Sequence, residues 1–447
     1  MAASQSKDRC LCIQGELDLF QPPAENHETE RGEWVAHHPI SSLTDHSPLE
    51  WQIAPDLEHY SDISRAHLYL SLRLVKHDGS NQTDANKTAH GQIAPVDNIF
   101  HSLFSSVQLR VNNTVVTPSD TFYPYRAYIE NLMNGTPEAR NSWMRGELFY
   151  GDMTHGEAFA AESEDVVNPD LKTRHRLFAE GASVEVMGRL KIPLVNQSRF
   201  LCPGLEMGLK LTRTSNAFYL MGRDVSHYKI EIQSAVFHTR RVKVSAKLAV
   251  EHARLLSGGH QALYPFTRTE VTSFAIPIGS LSFNRSQVNT GFLPQRVVVG
   301  FVTNRAQNGA GKVNPYLFEH HHLSHLQLSL GGQNFPTEAY APDYRRGHYL
   351  RNYTDLAIAT AVYGSRDGLM IDYDAYPKHC CLYAFDLTAG LTSATGPAEA
   401  RRFGSLALDV RFRHPLDAAV NAIVYAEFAS LIKIDFSRNI TADYITH

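Results

Sequence analysis

The stretch Asp97–Gly135, DNIFHSLFSSVQLRVNNTVVTPSDTFYPYRAYIENLMNG, decides how the rest of the chain is read. Within it Val107, Leu109 and Val111 alternate with Gln108 and Arg110, the pattern of a strand with one buried face. Asn112-Asn113 tolerates positive φ and Thr114 to Thr117 resumes extended residues, so the segment predicts a hairpin with a tight turn. A helix is expected next. Ser119, Asp120 and Thr121 offer N-caps and Pro124 suits a first turn. Tyr125, Tyr128, Ile129 and Leu132 fall at i, i+3, i+4 and i+7, and Gly135 ends the run.

The same unit recurs downstream. Leu326-Gln327-Leu328-Ser329-Leu330 repeats the alternation, Gly331-Gly332 takes the turn, and Asp343-Tyr344-Arg345 opens a second helical stretch with Tyr349, Tyr353 and Leu356 on one face. The offset is constant, 326 − 107 = 219 for the strand and 344 − 125 = 219 for the Tyr-Arg pair that opens each helix. We read this as an internal duplication; the alternative is two unrelated hairpins that share ordinary turn chemistry.

A chain of 447 residues has room for two or three domains, and two halves fit the repeat. Hydrophobic content of 43% supports a large core and excludes wholesale disorder. Lys+Arg 42 against Asp+Glu 46 leaves a net charge of -4 with no basic arm, which argues against direct packing of nucleic acid. The five cysteines, Cys10, Cys12, Cys202, Cys380 and Cys381, are not a disulfide framework and suit a reducing compartment. Met1 to Gln14 carries Lys7, Asp8 and Arg9 without an apolar core, so no secretory signal is expected. No apolar run approaches the roughly 20 residues that span a bilayer.

Along the chain, residues 1–47 read as a polar arm or lead-in, 48–240 as a first unit and 241–447 as a second. Strands are expected at Leu49 to Ile53, Ala66 to Val75, Ser183 to Pro193, Leu205 to Arg213 and Tyr228 to Phe237. Lys76 to Gly91 and Thr136 to Thr173 read as loops, the second with some helix. Val242 to Leu256 is helical in pattern, stopped by Gly258-Gly259, and would connect the units. The second unit has strand patterns at Glu270 to Ile278, Arg296 to Thr303, Leu326 to Leu330, Cys381 to Leu387, Ser405 to Phe412 and Ala422 to Ile434. In order, Gly188 to Leu194 parallels Cys381 to Leu387, Glu206 to Arg213 parallels Ala407 to Arg413, and Tyr228 to Arg240 parallels Ala422 to Asp435. The expected fold is therefore all-β, two tandem eight-stranded jelly rolls with short inserted helices.

The sequence carries no catalytic signature. It lacks a Gly-x-Ser-x-Gly elbow and a His-Glu-x-x-His pair, and Gly309-Ala310-Gly311-Lys312 misses the upstream glycine and following Ser or Thr of a phosphate loop. Cys10-x-Cys12 and Cys380-Cys381 have no partners at zinc spacing. His320, His321, His322 and His325 are the densest suspicious cluster. At a loop-to-strand junction neighbouring side chains point to opposite faces, so a polar turn is expected there rather than a metal site. His37, His38 and His67 read as packing or surface residues, and Asp367, Asp372 and Asp374 as a solvated loop without an EF-hand pattern. We expect a protein that is not an enzyme, with no catalytic, cofactor-binding or metal-binding residue. The residues expected to matter are packing ones: Val107, Leu109, Val111, Leu326, Leu328 and Val424.

Several blocks carry a resemblance. They are His101-Ser102-Leu103-Phe104-Ser105 with Val107-Gln108-Leu109, Thr117-Pro118, and Tyr123-Pro124-Tyr125-Arg126-Ala127-Tyr128-Ile129-Glu130. Tyr264-Pro265 with Arg268 to Val271, Leu293 to Val302, Tyr376-Pro377 with Leu382 to Thr388, and Asn421 to Phe428 with a tail near Asp443-Tyr444 continue it in order. Together these resemble the major capsid protein of Polinton (Maverick) elements and the related adintoviruses, double jelly-roll, hexon-like capsid proteins. The resemblance implies a homotrimer of pseudo-hexagonal outline that builds an icosahedral shell around double-stranded DNA. It implies neighbouring capsomers, a minor single jelly-roll penton protein and cement proteins as partners, and the virion as location. Two other readings remain at this level. A carbohydrate-binding jelly roll would use Tyr340, Tyr344 and Tyr349 as an exposed platform, and a cupin-like enzyme would need histidines on strands lining one barrel. A capsid-derived protein retained by a host would share the fold.

Overall fold

The computed structural model describes residues 28–44, 47–81, 93–117, 121–152, 168–222, 225–394 and 401–443. The first half contributes β1 (Thr29–His37), β2 (Leu49–Ile53), β3 (Tyr60–Lys76), β4 (Ala94–Pro95), β5 (Phe104–Val111), β6 (Thr114–Val115), β7 (Ser183–Gly188), β8 (Met207–Arg213), β9 (Leu220–Met221) and β10 (Tyr228–Val244). Eight of them build two sheets, ordered β1-β10-β3-β7 and β2-β8-β5-β6, while β4 and β9 form a separate pair. The second half contributes β11 (Ala262–Ile276), β12 (Ser282–Phe292), β13 (Arg296–Thr303), β14 (Leu323–Leu330), β15 (Gln333–Tyr340), β16 (Leu382–Asp386), β17 (Phe403–Phe412), β18 (Val420–Ile434) and β19 (Ile440–Ala442). Its sheets run β11-β18-β13-β16, with β19 also on β18, and β12-β17-β14-β15.

Numbered one to eight within each half, the strands give the same two orders twice, 1-8-3-6 and 2-7-4-5. The strand pairings are antiparallel throughout. This is the order of a jelly roll, and the chain has the double jelly-roll fold. Each half also inserts a helix between its fifth and sixth strands, Tyr123–Asn134 in the first and Leu350–Ala359 in the second.

The two halves bury their sheets differently. On β3, Leu68, Leu70, Leu72 and Leu74 point inward at 0% exposure, while Tyr69 and Arg73 stay partly exposed on the other face. On β13 both faces are buried. Val297, Val299 and Phe301 enter the interior of the second sandwich, and Val298 and Val302 enter the core shared with the first half. β18 divides likewise, Val424 and Phe428 inward and Ile423 and Tyr425 toward the first half. That is why its sequence runs as NAIVYAEF without alternation. Gly300 leaves room for this close packing: a Cβ there would lie 2.6 Å from Phe318 and 2.8 Å from Leu382.

Several expectations need correction. Residues 1–47 are not a bare lead-in, because Thr29–His37 is β1 and pairs along β10 from Val244 to Phe237. β12 was also not anticipated. Both are edge strands with polar, largely exposed sequences, so neither shows a period of two. Val242 to Val244 belong to β10, and the connector helix is Ala246–Ser257, capped by Ser245. Of the segment Gly188 to Leu194 only Gly188 belongs to β7, and Ser183–Gly188 takes the place that Leu382–Asp386 has in the second half.

The 219-residue offset holds through the hairpins, where Asn112 and Gly331 take φ 50° and 56°, and fails at the helices. An ungapped copy of Tyr123–Asn134 would fall at 342–353; instead Asp343 caps a single 3-10 turn, Tyr344–Arg346, and Gly347 at φ 73° ends it. At the first helix the cap position is Phe122, without a side-chain bond. Ser119 and Asp120 lie outside the described residues. Gly135 has φ -90°, so its role is spatial: a Cβ would meet Met370 at 2.4 Å and the Asn131 carbonyl at 2.5 Å.

Candidate functional site

The polar and aromatic groups best placed to act together lie along the seam between the two halves, and the Tyr123–Asn134 helix is its centre. Every residue of this helix except Asn134 is buried. Its Tyr128 ring lies parallel to Tyr316 at 4.0 Å, and the Tyr125 hydroxyl donates to the Pro315 carbonyl at 2.9 Å. Tyr125 also meets Tyr316 and Phe318 edge-on, and Ser102 shares a short hydrogen bond with the Tyr316 hydroxyl. The Tyr-x-x-Tyr spacing that marked a helical face in the sequence thus presents both rings to the loop before β14 of the other half.

A buried ion pair closes one end of the seam. Arg296 on β13 donates to Glu427 on β18 at 2.8 Å and 2.6 Å, and Tyr425 donates to the same carboxylate at 2.6 Å. Arg296 also donates to the Ala359 carbonyl at 2.8 Å and to Asn134 at 3.3 Å, so one guanidinium ties together the ends of both inserted helices. Burial works against its charge, but Glu427 outweighs burial and holds the group more firmly protonated than usual. At another point Asn112, in the β5–β6 turn, accepts from the Glu206 amide at 2.9 Å and donates to the Arg438 carbonyl of the second half at 2.7 Å.

A third buried cluster sits in the first half. Asp97 accepts from the amides of Tyr150, Gly151 and Asp152 at 2.6, 2.8 and 3.3 Å, and Arg174 donates to Asp152 at 2.9 Å. Burial, followed by the neighbouring Asp152 carboxylate, pushes the Asp97 carboxyl up to about 7. The cluster joins residues 150–152 to the Pro169–Leu177 helix, at the two ends of a segment that lies outside the described residues. Its bonds run from side chains to other parts of the first half.

The histidines do not converge. His320 stacks on Tyr344 at 4.1 Å and accepts the His322 amide at 2.9 Å, His322 approaches His414, and His325 lies 3.3 Å from Asp409. His321 and His322 take positive φ, 43° and 54°, and the His320 and His322 rings meet edge-on at 5.0 Å. Burial pulls both His320 and His321 down to about 4, so the 3.9 Å approach of His321 to Glu319 is not a charge pair at neutral pH. Among the described residues no three His, Cys, Asp or Glu side chains are grouped to hold a metal ion.

Asp367, Asp372 and Asp374 are exposed. His37 bonds Thr239 at 2.9 Å, and His67 packs between Trp34 and His238. Cys202, Cys380 and Cys381 are free and buried, and burial lifts the thiols of the last two well above their usual range. Cys10 and Cys12 lie outside the described residues.

Tyr340, Tyr344 and Tyr349 are not an exposed platform. Tyr340 is buried and donates to Asp355, Tyr344 meets the Tyr383 hydroxyl at 2.7 Å, and Tyr349 packs on Tyr344, Tyr373 and Tyr376. The six packing residues singled out in the sequence, Val107, Leu109, Val111, Leu326, Leu328 and Val424, are all buried. Among the described residues no helix is long and apolar enough to cross a membrane.

No protein-family model matches the chain. The Caenorhabditis elegans protein F54H12.2 is 20% identical over 427 residues, 93% of this chain and 98% of that one. A chain of the Sputnik virophage is similar in structure with a TM-score of 0.65 at 10% identity, over 97% of this chain and 95% of its own. VP54 of PBCV-1 gives 0.60 at 12% identity over 96% and 100%, and the Faustovirus major capsid protein 0.51 at 8% over 92% of each. The likeness is one of fold: the double jelly roll seen here is that of viral major capsid proteins.

Proposed function

We propose that this chain is a major capsid protein that associates as a homotrimer into a capsomer of pseudo-hexagonal outline. The capsomers build an icosahedral shell around a double-stranded DNA genome. The observation that carries this is the strand order repeated in one chain. Two near-equivalent lobes per chain give a trimer six lobes, which a threefold assembly needs to fill a site with six neighbours. The seam supports it too, since the Arg296–Asn134 hydrogen bond, an aromatic stack and the shared core join the two lobes.

The buried polar groups described above join one part of the chain to another, which supports a structural role. The fold likeness to the Faustovirus major capsid protein, to VP54 of PBCV-1 and to a chain of the Sputnik virophage supports the shell. The relative in an animal supports a lineage of the Polinton or adintovirus type, with a minor penton protein and cement proteins as partners in the virion. Negative-stain images of the purified full chain test the reading. Six-lobed particles or shells are expected; a uniform field of two-lobed particles would overturn it.

A further inference from the structure

A cavity of about 480 Å³ opens in the first half, lined by the ends of strands from both of its sheets. Arg213, the last residue of β8, lines it together with Thr214 and Ser215 just beyond. From the other sheet come Lys229 at the start of β10 and His77 just past β3. Arg213 reaches from one sheet to the other, where its Nη2 donates to the Ile230 carbonyl at 2.8 Å.

The lining is one-sided in charge. It carries the guanidinium of Arg213, the ammonium of Lys229 and the imidazole of His77, and among the described residues that line it there is no Asp or Glu. It is also short of acceptors. Nη1 of Arg213 and the Thr214 hydroxyl are both enclosed and have no hydrogen-bond partner among the described residues. Both can donate. Buried donors are nearly always satisfied, and one left without an acceptor costs free energy. Thr212 and Ser215 add two more hydroxyls along the same stretch. A water molecule accepts such bonds but brings no charge to this basic lining. An oxyanion does both: it is rich in acceptors, and its bonds to a guanidinium are among the strong ones. The volume falls within the range of small-molecule sites.

We infer that this cavity binds the oxyanion of a phosphate or sulfate monoester, with Arg213 and Thr214 as its principal donors. The proposal does not depend on the capsid reading.

The test is isothermal titration calorimetry of the full chain with methyl phosphate and methyl sulfate, which carry the oxyanion and little else, and with methanol as the neutral control. Saturable binding of at least one ester and none of methanol is expected, and the ester that binds more tightly tells phosphate from sulfate. Thr214→Val keeps the side-chain shape without the hydroxyl and should weaken binding by about tenfold. Arg213→Gln should weaken it by about tenfold or more; should it fail to fold, Thr214→Val carries the test. No saturable binding of either ester, equal binding of methanol, or an unchanged affinity in a folded variant overturns the proposal.

Discussion

Leu109 on β5 faces Leu209 of β8 with 4% of its surface exposed. Leu109→Asp places an unpaired carboxylate in a dry sandwich, a penalty comparable to the whole stability of a domain. Expression should yield no soluble particles, and a variant that purifies normally would contradict the strand assignment. Asn112 has two roles, of which only one is local. The sequence shows a turn residue that tolerates φ 50°, but its bond to Arg438 spans 326 positions and leaves no local pattern. Asn112→Gly keeps the turn and removes both side-chain bonds, so denaturant unfolding should show a loss of about 1–2 kcal/mol.

The histidines set a pH dependence. His320 and His321 sit near 4 in the fold against 6.5 ordinarily, so the unfolded chain binds more protons between those values. Their contribution is present above about 6.5 and lost as pH falls toward 4. Asp97 acts oppositely. Its raised value makes its contribution full below 3.8 and lost as pH rises through about 7. The wild-type profile is therefore a sum of opposed slopes, and the variant isolates one of them. Melting temperatures of His320→Gln/His321→Gln should fall less between pH 6.5 and 4 than those of wild type; parallel curves would contradict the assignment.

The Tyr123–Asn134 helix joins the halves, and its contribution can be isolated. A double-mutant cycle of Tyr128→Ala and Tyr316→Ala should give a coupling of about 0.5–1.5 kcal/mol from the parallel stack. Arg296→Met leaves Glu427 buried without its cation, with a loss of about 3–5 kcal/mol expected in denaturant unfolding. Elements were legible where one face meets the core. The β5 hairpin and the leucines of β3 show a period of two, and the unbroken apolar runs of β13 and β18 record burial on both faces. β1 and β12 were not legible, because edge strands exposed on one side need little apolar sequence. The second helix was placed early because the capping by Asp343 and the left-handed Gly347 act one turn after a start that looks helical. The seam itself joins residues such as Tyr128 and Tyr316, far apart in sequence, so periodicity identified the helix but not the surface it packs on.

At the scale of the whole molecule, the repeated strand order and the unequal burial of the two halves belong together. The second half's β11-β18-β13-β16 sheet is covered by the first half, so the lobes are held as one body rather than strung on a linker. Such a body presents two lobes at a fixed angle, and three copies can then close around an axis without either lobe changing shape. The solution mass of the purified full chain, measured by size-exclusion chromatography with light scattering, tests this most directly. The account predicts a mass near three times 50.1 kDa, or larger shells built from that unit. A stable mass of one chain at every concentration would contradict it.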